Sequence, residues 1–163
     1  MHAKSPGSRQ PAGIRMTTSY SAHWFGQDQT DIDSVLAFWD DQRNLHRHTR
    51  WYALVDGAFD HGAKPYSDLL GAINCYKDEP VVGLSEVAPL LVPLANQSTA
   101  QTALANLLVH CSGRPMISLV ASTGSAQDIV NSWRSVYWAH LPESQKMLVR
   151  FADTRVALEL PRV

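Results

Sequence analysis

The chain has 163 residues, of which 45% are apolar and 18% charged, and this is the size and composition of one ordinary soluble domain. Its formal net charge of −1 and isoelectric point near 6.6 give no overall attraction to nucleic acid or to anionic lipid. No stretch approaches the length of a membrane-spanning apolar helix. We therefore expect no nucleic-acid or membrane partner and a cytoplasmic location.

Residues 1–30 are expected to form a disordered basic tail. Residues 1–27 contain three basic residues and no acidic residue, and the first leucine or valine of the chain is Val35. A segment of this composition has too little apolar surface to fold by itself. The chain has 14 basic residues, so 11 of them lie in residues 28–163, together with all 15 acidic residues. The formal charge of residues 28–163 is therefore −4. Met1 and Met16 are both candidate start positions for translation.

The folded body, residues 31–163, shows strand and helix patterns in alternation. Apolar residues at helical spacing predict a first helix over residues 31–43. An apolar, aromatic-rich run over residues 50–55 predicts a strand that is buried on both faces. After a proline-containing loop we expect a short helix over residues 66–73. A second strand is predicted over residues 86–94, at a sheet edge or with a bulge, because each of its two prolines removes a ladder donor.

The strongest helical pattern covers residues 98–111, where one continuous apolar stripe must cover a sheet. Residues 116–121 predict the next strand, and a capping box at Ser125 opens a helix with an apolar inner side. A fourth strand over residues 146–151 leads to Asp153, which can cap a last short helix. Strands alternating with helices are typical of α/β folds. We therefore predict a single α/β lobe with a sheet of about four strands, mostly parallel or mixed, flanked by helices.

Three aspartates follow predicted strands: Asp56 and Asp60 come after the first, and Asp153 after the last. Because α/β sheets place ligand sites at the carboxyl ends of their strands, these carboxylates would suit a small metal-dependent hydrolase. In the other interpretation, Asp56 and Asp153 cap helices or turns, and an Arg–Asp pair fixes the loop geometry. We favour the second interpretation, since three residues separate Asp56 from Asp60, whereas a phosphatase of the haloacid-dehalogenase type needs one.

The remaining catalytic motifs are incomplete. His46 and His48 have metal-ligand spacing but no third ligand nearby. Cys75 and Cys111 lie in apolar surroundings without a local base, which is typical of inert core thiols. The sequence has no G-x-S-x-G elbow and no Walker lysine. We therefore expect a protein that is not an enzyme and that holds no cofactor and no metal.

Four segments in a fixed order carry a resemblance to a known family. They are Y-A-L-V-D-G-A at 52–58, E-V-A-P-L-L-V at 86–92, G-R-P at 113–115 and V-R-F-A-D-T-R-V at 149–156. The last segment is similar to an R-F-x-D-x-R turn. Residues 51–161 thus resemble the bacterial type VI secretion effector chaperones, or adaptor proteins, a family long catalogued as a domain of unknown function.

The resemblance has departures. Ala88-Pro89-Leu90 stands where the family usually has Gly-Pro-Tyr, and Thr154 stands where it usually has proline. Family members usually continue into a helical carboxy-terminal lobe, whereas this chain ends at Val163. The resemblance is therefore to the amino-terminal α/β lobe of the family, over residues 31–163.

The resemblance implies a cytoplasmic chaperone that binds the amino-terminal region of a toxic effector and helps to load it onto the VgrG spike protein. By position it singles out five motif residues, which either brace the fold or contact the partner: Asp56, Arg150, Phe151, Asp153 and Arg155. We favour bracing, because pairs of arginine and buried carboxylate fix loop geometry. The alternatives are a hydrolase that uses Asp56, Asp60 and Asp153, and a truncated family member that folds but binds nothing.

Overall fold

The computed structural model describes residues 20–26, 31–63, 71–78, 80–95 and 97–159. Its strands are β1 (Tyr20–Phe25), β2 (Arg50–Asp56), β3 (Ile73–Asn74), β4 (Pro89–Pro93), β5 (Ile117–Ser122), β6 (Trp138–His140) and β7 (Lys146–Leu148). Its α-helices are α1 (Ile32–Leu45), α2 (Gln97–Cys111), α3 (Ala126–Trp133) and α4 (Thr154–Glu159). Five of these strands form one sheet, and β6 and β7 form a second, two-stranded sheet.

The five-stranded sheet has the order β1-β5-β2-β4-β3, and all its neighbouring strands run antiparallel. α1 connects β1 to β2, which run in the same direction but have β5 between them. α2 likewise connects β4 to β5, which have β2 between them. Each helix thus closes a split β-α-β unit. The single α/β lobe is confirmed, but the expected mostly parallel or mixed sheet is wrong, because an antiparallel strand separates the strands of each unit.

β2 lies inside the sheet and is buried on both faces, as predicted. Trp51, Ala53 and Val55 belong to the core that includes the apolar stripes of α1 and α2. Tyr52 and Leu54 belong to the opposite core, which includes residues of α3. This alternation follows from the period of two in a strand. β2 therefore contributes side chains to both cores of the lobe.

The helices agree closely with their sequence patterns. α1 begins after Asp31, whose carboxylate caps the helix by accepting from the Ser34 N–H. On α2, Leu104, Leu107 and Leu108 are fully buried, as the apolar stripe predicted. α3 begins at the predicted capping box, in which Ser125 and Asp128 hydrogen-bond reciprocally. No helix in the described ranges is long and apolar enough to cross a membrane.

Ordered structure begins earlier than expected. β1 lies within residues 1–30, and its backbone pairs with β5 from Tyr20 opposite Ser122 to Phe25 opposite Ser118. The prediction of a disordered tail is wrong for these residues, because backbone hydrogen bonds hold an edge strand and need no apolar composition. Residues 1–19 and 27–30 lie outside the described residues.

Two predicted strands also differ from the structure. The strand expected over residues 146–151 is shorter, since β7 ends at Leu148, and it pairs with β6 outside the main sheet. The strand expected over residues 86–94 begins at Pro89, after a 3-10 helix over Val82–Val87. β4 is neither bulged nor at the edge, because it lies between β2 and β3. Its prolines are tolerated because they occupy its two ends, whereas β3 pairs only with Leu90 and Leu91 between them.

The short helix expected over residues 66–73 falls mostly on residues 64–70, which lie outside the described residues. At its predicted end, Ile73 belongs to β3 and pairs with Leu91 of β4.

Gly57 marks a close approach between the ends of β2 and β4. A Cβ atom at this position would overlap the backbone carbonyl oxygen of Ala88. A Cβ atom added at Gly83, in the neighbouring 3-10 helix, would meet no other atom within 4 Å. The two glycines therefore provide a matched pair for testing the fold.

We predict that Gly57→Ala lowers the free energy of unfolding by about 1–3 kcal/mol, because the backbone must shift to relieve the overlap. Gly83→Ala should change it by less than about 0.5 kcal/mol, since the added methyl group meets nothing. Chemical denaturation of both variants and the parent measures the difference. Equal effects of the two substitutions would contradict the packing described for Gly57.

Candidate functional site

Asp56 is the last residue of β2 and is almost completely buried. Its backbone N–H donates to the carbonyl of Met116 at 2.8 Å, which fixes it beside the start of β5. Its carboxylate accepts from the Ala58 N–H at 3.0 Å and so caps the 3-10 turn over Gly57–Asp60. The end of a buried strand and a capped turn thus position this carboxylate together.

Arg150 connects Asp56 to the carboxy-terminal segment. Its Nη2 donates to Asp56 Oδ2 at 2.8 Å and lies 3.9 Å from Asp153 Oδ2. Its guanidinium lies over the ring of Phe59, 5.0 Å from the centroid, a distance typical of a cation–π contact. Arg150 is partly exposed, whereas both aspartates are buried. One arginine therefore contacts two carboxylates and an aromatic ring.

Asp153 and Arg155 form a two-point ion pair where α4 begins. Arg155 Nε donates to Oδ1 of Asp153 at 3.0 Å, and Nη2 donates to Oδ2 at 2.7 Å. The Arg155 backbone N–H also donates to Oδ1, at 3.1 Å. The Arg155 guanidinium is 5.9 Å from the Phe59 ring. The two hydrogen bonds from its guanidinium group to Asp153 fix the Arg155 side chain in one orientation, over the same surface as Arg150.

Phe151 is separate from this network. It is buried, stacks on Tyr137 with ring centroids 5.6 Å apart, and lies 5.3 Å from the ring of Trp133. Of the five predicted motif residues, the structure therefore brings four into one ion-pair network. It places Phe151 in the core next to that network.

Sequence reasoning missed several contributors to this region. Phe59 contacts both Arg150 and Arg155. Two further residues hold Asp60: Arg114 Nη1 donates to Asp60 Oδ1 at 2.8 Å, and the His110 ring Nε2 is 2.9 Å from Asp60 Oδ2. Thr154 is buried and donates from its hydroxyl to the carbonyl of Gly26 at 2.6 Å. These contacts join residues more than 45 positions apart in the chain. No local pattern marks them.

Asp56, Asp60 and Asp153 do not converge as ligands of one ion. Each carboxylate instead pairs with a different arginine: Asp56 with Arg150, Asp60 with Arg114, and Asp153 with Arg155. Within the described ranges, no group of three or more His, Cys, Asp or Glu side chains is arranged to hold a metal ion. A cation would have to displace an arginine from each carboxylate, so this geometry does not favour the hydrolase alternative.

The other candidate groups are not members of this ion-pair network. Cys75 and Cys111 are buried free thiols, as predicted, and burial raises the pKa of each to about 12. A thiol with such a pKa is protonated at neutral pH and is a weak nucleophile. His46 and His48 are exposed beyond the end of α1.

A small cleft adjoins the network at Asp60. Its volume is about 250 Å³, and its lining includes Gly57, Asp60, His61 and Glu86. This is below the usual range of small-molecule pockets, roughly 300–1,000 Å³.

Comparison with known proteins adds one finding. Residues 51–163 match DUF4123, a domain of unknown function. The chain belongs to the DUF4123 family. The match covers about two thirds of the chain, begins inside β2, and includes the whole Asp56–Arg150–Asp153–Arg155 network. No curated protein and no solved structure matches the chain.

The two buried aspartates of this DUF4123 chain have opposite pKa shifts. Burial raises the pKa of Asp56 above its usual 3.8, although the Ala58 N–H and Arg150 act against this. The hydrogen bonds from the Arg155 side chain hold the pKa of Asp153 below 3.8. Stability that depends on Asp56 is therefore lost as the pH rises from about 3.8 through its native pKa. Stability that depends on Asp153 is present above about 3.8 and is lost as the pH falls through its native pKa.

We predict opposite pH dependences for Asp56→Asn and Asp153→Asn. For each variant, the measured quantity is the free energy of unfolding of the parent minus that of the variant. As the pH rises through the acid range, this difference should fall for Asp56→Asn and rise for Asp153→Asn. At neutral pH, Asp153→Asn should cost about 1.5–3 kcal/mol, because it removes charge-assisted hydrogen bonds. Denaturant unfolding from acid to neutral pH measures both trends, and each variant serves as the control for the other. Slopes of the same sign would contradict the assignment.

Proposed function

We propose that this DUF4123 chain is a cytoplasmic chaperone or adaptor that binds a type VI secretion effector and assists its loading onto the VgrG spike protein. Family membership over residues 51–163 supports the proposal, as does the resemblance of its motifs to the effector chaperones. The observation that carries it is the pairing of each carboxylate of the network with an arginine. Such pairs hold a surface in shape, and they engage all three of the carboxylates that the hydrolase alternative would use.

The geometry is consistent with a binding role. The Asp56–Arg150 and Asp153–Arg155 pairs connect the end of β2 to the start of α4, and so fix the loops that carry the exposed guanidinium groups. A fixed surface loses little conformational freedom when a partner binds. An effector with exposed apolar segments is prone to aggregate, and a bound chaperone lowers its free concentration.

The direct test is co-expression of the tagged chain with the product of a neighbouring effector gene. We expect the two proteins to co-purify, and we expect the soluble fraction of the effector to increase. The control is the same effector without its amino-terminal region, which should not be retained. Failure of the intact effector to co-purify would contradict the proposal and favour a family member that folds but binds nothing.

A second measurement separates the proposal from the hydrolase alternative. We expect Mg²⁺, Mn²⁺ or Zn²⁺ to leave the melting temperature of the chain unchanged, because arginines occupy the three candidate carboxylates. A ligand that binds only the native state raises this temperature by mass action. A metal-dependent increase that disappears in Asp60→Asn would favour the hydrolase.

A further inference from the structure

The cluster around Phe59 is neutral by count but cationic at its surface. It contains three arginines and three aspartates. Each aspartate has its own close arginine partner, and Arg150 also lies 3.9 Å from Asp153. The side chains of Asp56, Asp60 and Asp153 are only 3%, 10% and 3% exposed. Those of their respective partners Arg150, Arg114 and Arg155 are 44%, 29% and 68% exposed. Solvent and any partner therefore meet the arginine side chains far more than the aspartates with which they pair.

Two of these guanidinium groups are held in place before any partner arrives. Arg150 is fixed between Asp56 and the ring of Phe59. Arg155 is fixed by its two-point ion pair with Asp153. Free arginine side chains lose considerable rotamer entropy on binding, and this loss is smaller for a side chain that is already ordered. Arginine is one of the residue types enriched among those that dominate binding energy at protein interfaces.

We infer that the surface formed by Phe59, Arg114, Arg150 and Arg155, here named the arginine surface, is the docking site for an acidic segment of a partner protein. Carboxylates of that segment would accept hydrogen bonds from the exposed guanidinium groups. The inference rests on the proposed function, since it states where and by what chemistry the partner would be recognised.

The charge distribution favours an acidic protein segment over a nucleic acid. The chain has a formal net charge of −1, which gives no overall attraction to an extended polyanion. Nucleic-acid binding needs several phosphate contacts spread over a basic face. The arginine surface is a local cationic area on an acidic body, and a short run of carboxylates matches its extent.

The chain provides a matched control. Arg134 also pairs with an aspartate, Asp78, but both of these side chains are about half exposed. Arg134→Gln therefore removes an exposed, paired arginine without touching the arginine surface. The test variant is the double substitution Asp153→Asn with Arg155→Gln, which removes the exposed cation and leaves no buried carboxylate unpaired.

The probe is a synthetic peptide rich in glutamate, compared with the same peptide in which glutamine replaces glutamate. We expect the glutamate peptide to bind the parent chain at low salt and to weaken as salt is added. The double variant should bind it about tenfold more weakly, whereas Arg134→Gln should bind as the parent does. Thermal unfolding of each variant verifies that it is folded. Asp56→Asn combined with Arg150→Gln provides a second variant if the first is not, and it likewise leaves no buried carboxylate without its arginine.

Three results would overturn the inference: equal binding of the glutamine peptide, equal loss of binding in Arg134→Gln, or tighter binding of a single-stranded oligonucleotide than of the glutamate peptide.

The co-purification assay separates this inference from the proposed function. If the double variant retains the effector as well as the parent does, the docking site is wrong and the chaperone function stands. If the parent binds the glutamate peptide but no effector, the surface stands and the chaperone function fails.

Discussion

The burial of β2 on both faces is the constraint on which the rest of the structure depends. Its alternating side chains enter the core under α1 and α2 on one face and the core beside α3 on the other. β4 and β5 must flank it on either side, because backbone groups of a buried strand need partners. The strand ends in Asp56, a buried acid, and this carboxylate requires its own compensation.

Compensation of buried charge explains the organisation of the candidate site. Asp56 and Asp153 lie beneath the surface, and each is stabilised by an arginine whose far end reaches solvent. The long arginine side chain can satisfy a buried carboxylate and still leave part of its charge exposed. The same pairs that brace the loops therefore also create a cationic surface. Bracing and partner contact, which the sequence presented as alternatives, are compatible roles for Arg150 and Arg155.

The candidate site was only partly predictable. The resemblance singled out Asp56, Arg150, Asp153 and Arg155, and the structure places these four in one network. It also singled out Phe151, which belongs to the core instead. Phe59 and the pairing of Asp60 with Arg114 were missed, since an isolated aromatic residue and a pair 54 positions apart leave no local signal.

The sequence by itself determined the helices α1 to α4, the doubly buried strand β2 and the capping of α1 and α3, because apolar periodicity and capping residues act within a few positions of the chain. Only the tertiary structure decided which strands are neighbours. A helix that joins two parallel strands gives the same sequence pattern whether those strands are adjacent or have a third strand between them. The antiparallel order β1-β5-β2-β4-β3 and the recruitment of Tyr20–Phe25 as an edge strand depend on backbone pairing between distant segments. Such pairing uses groups that every residue carries, so composition does not reveal it.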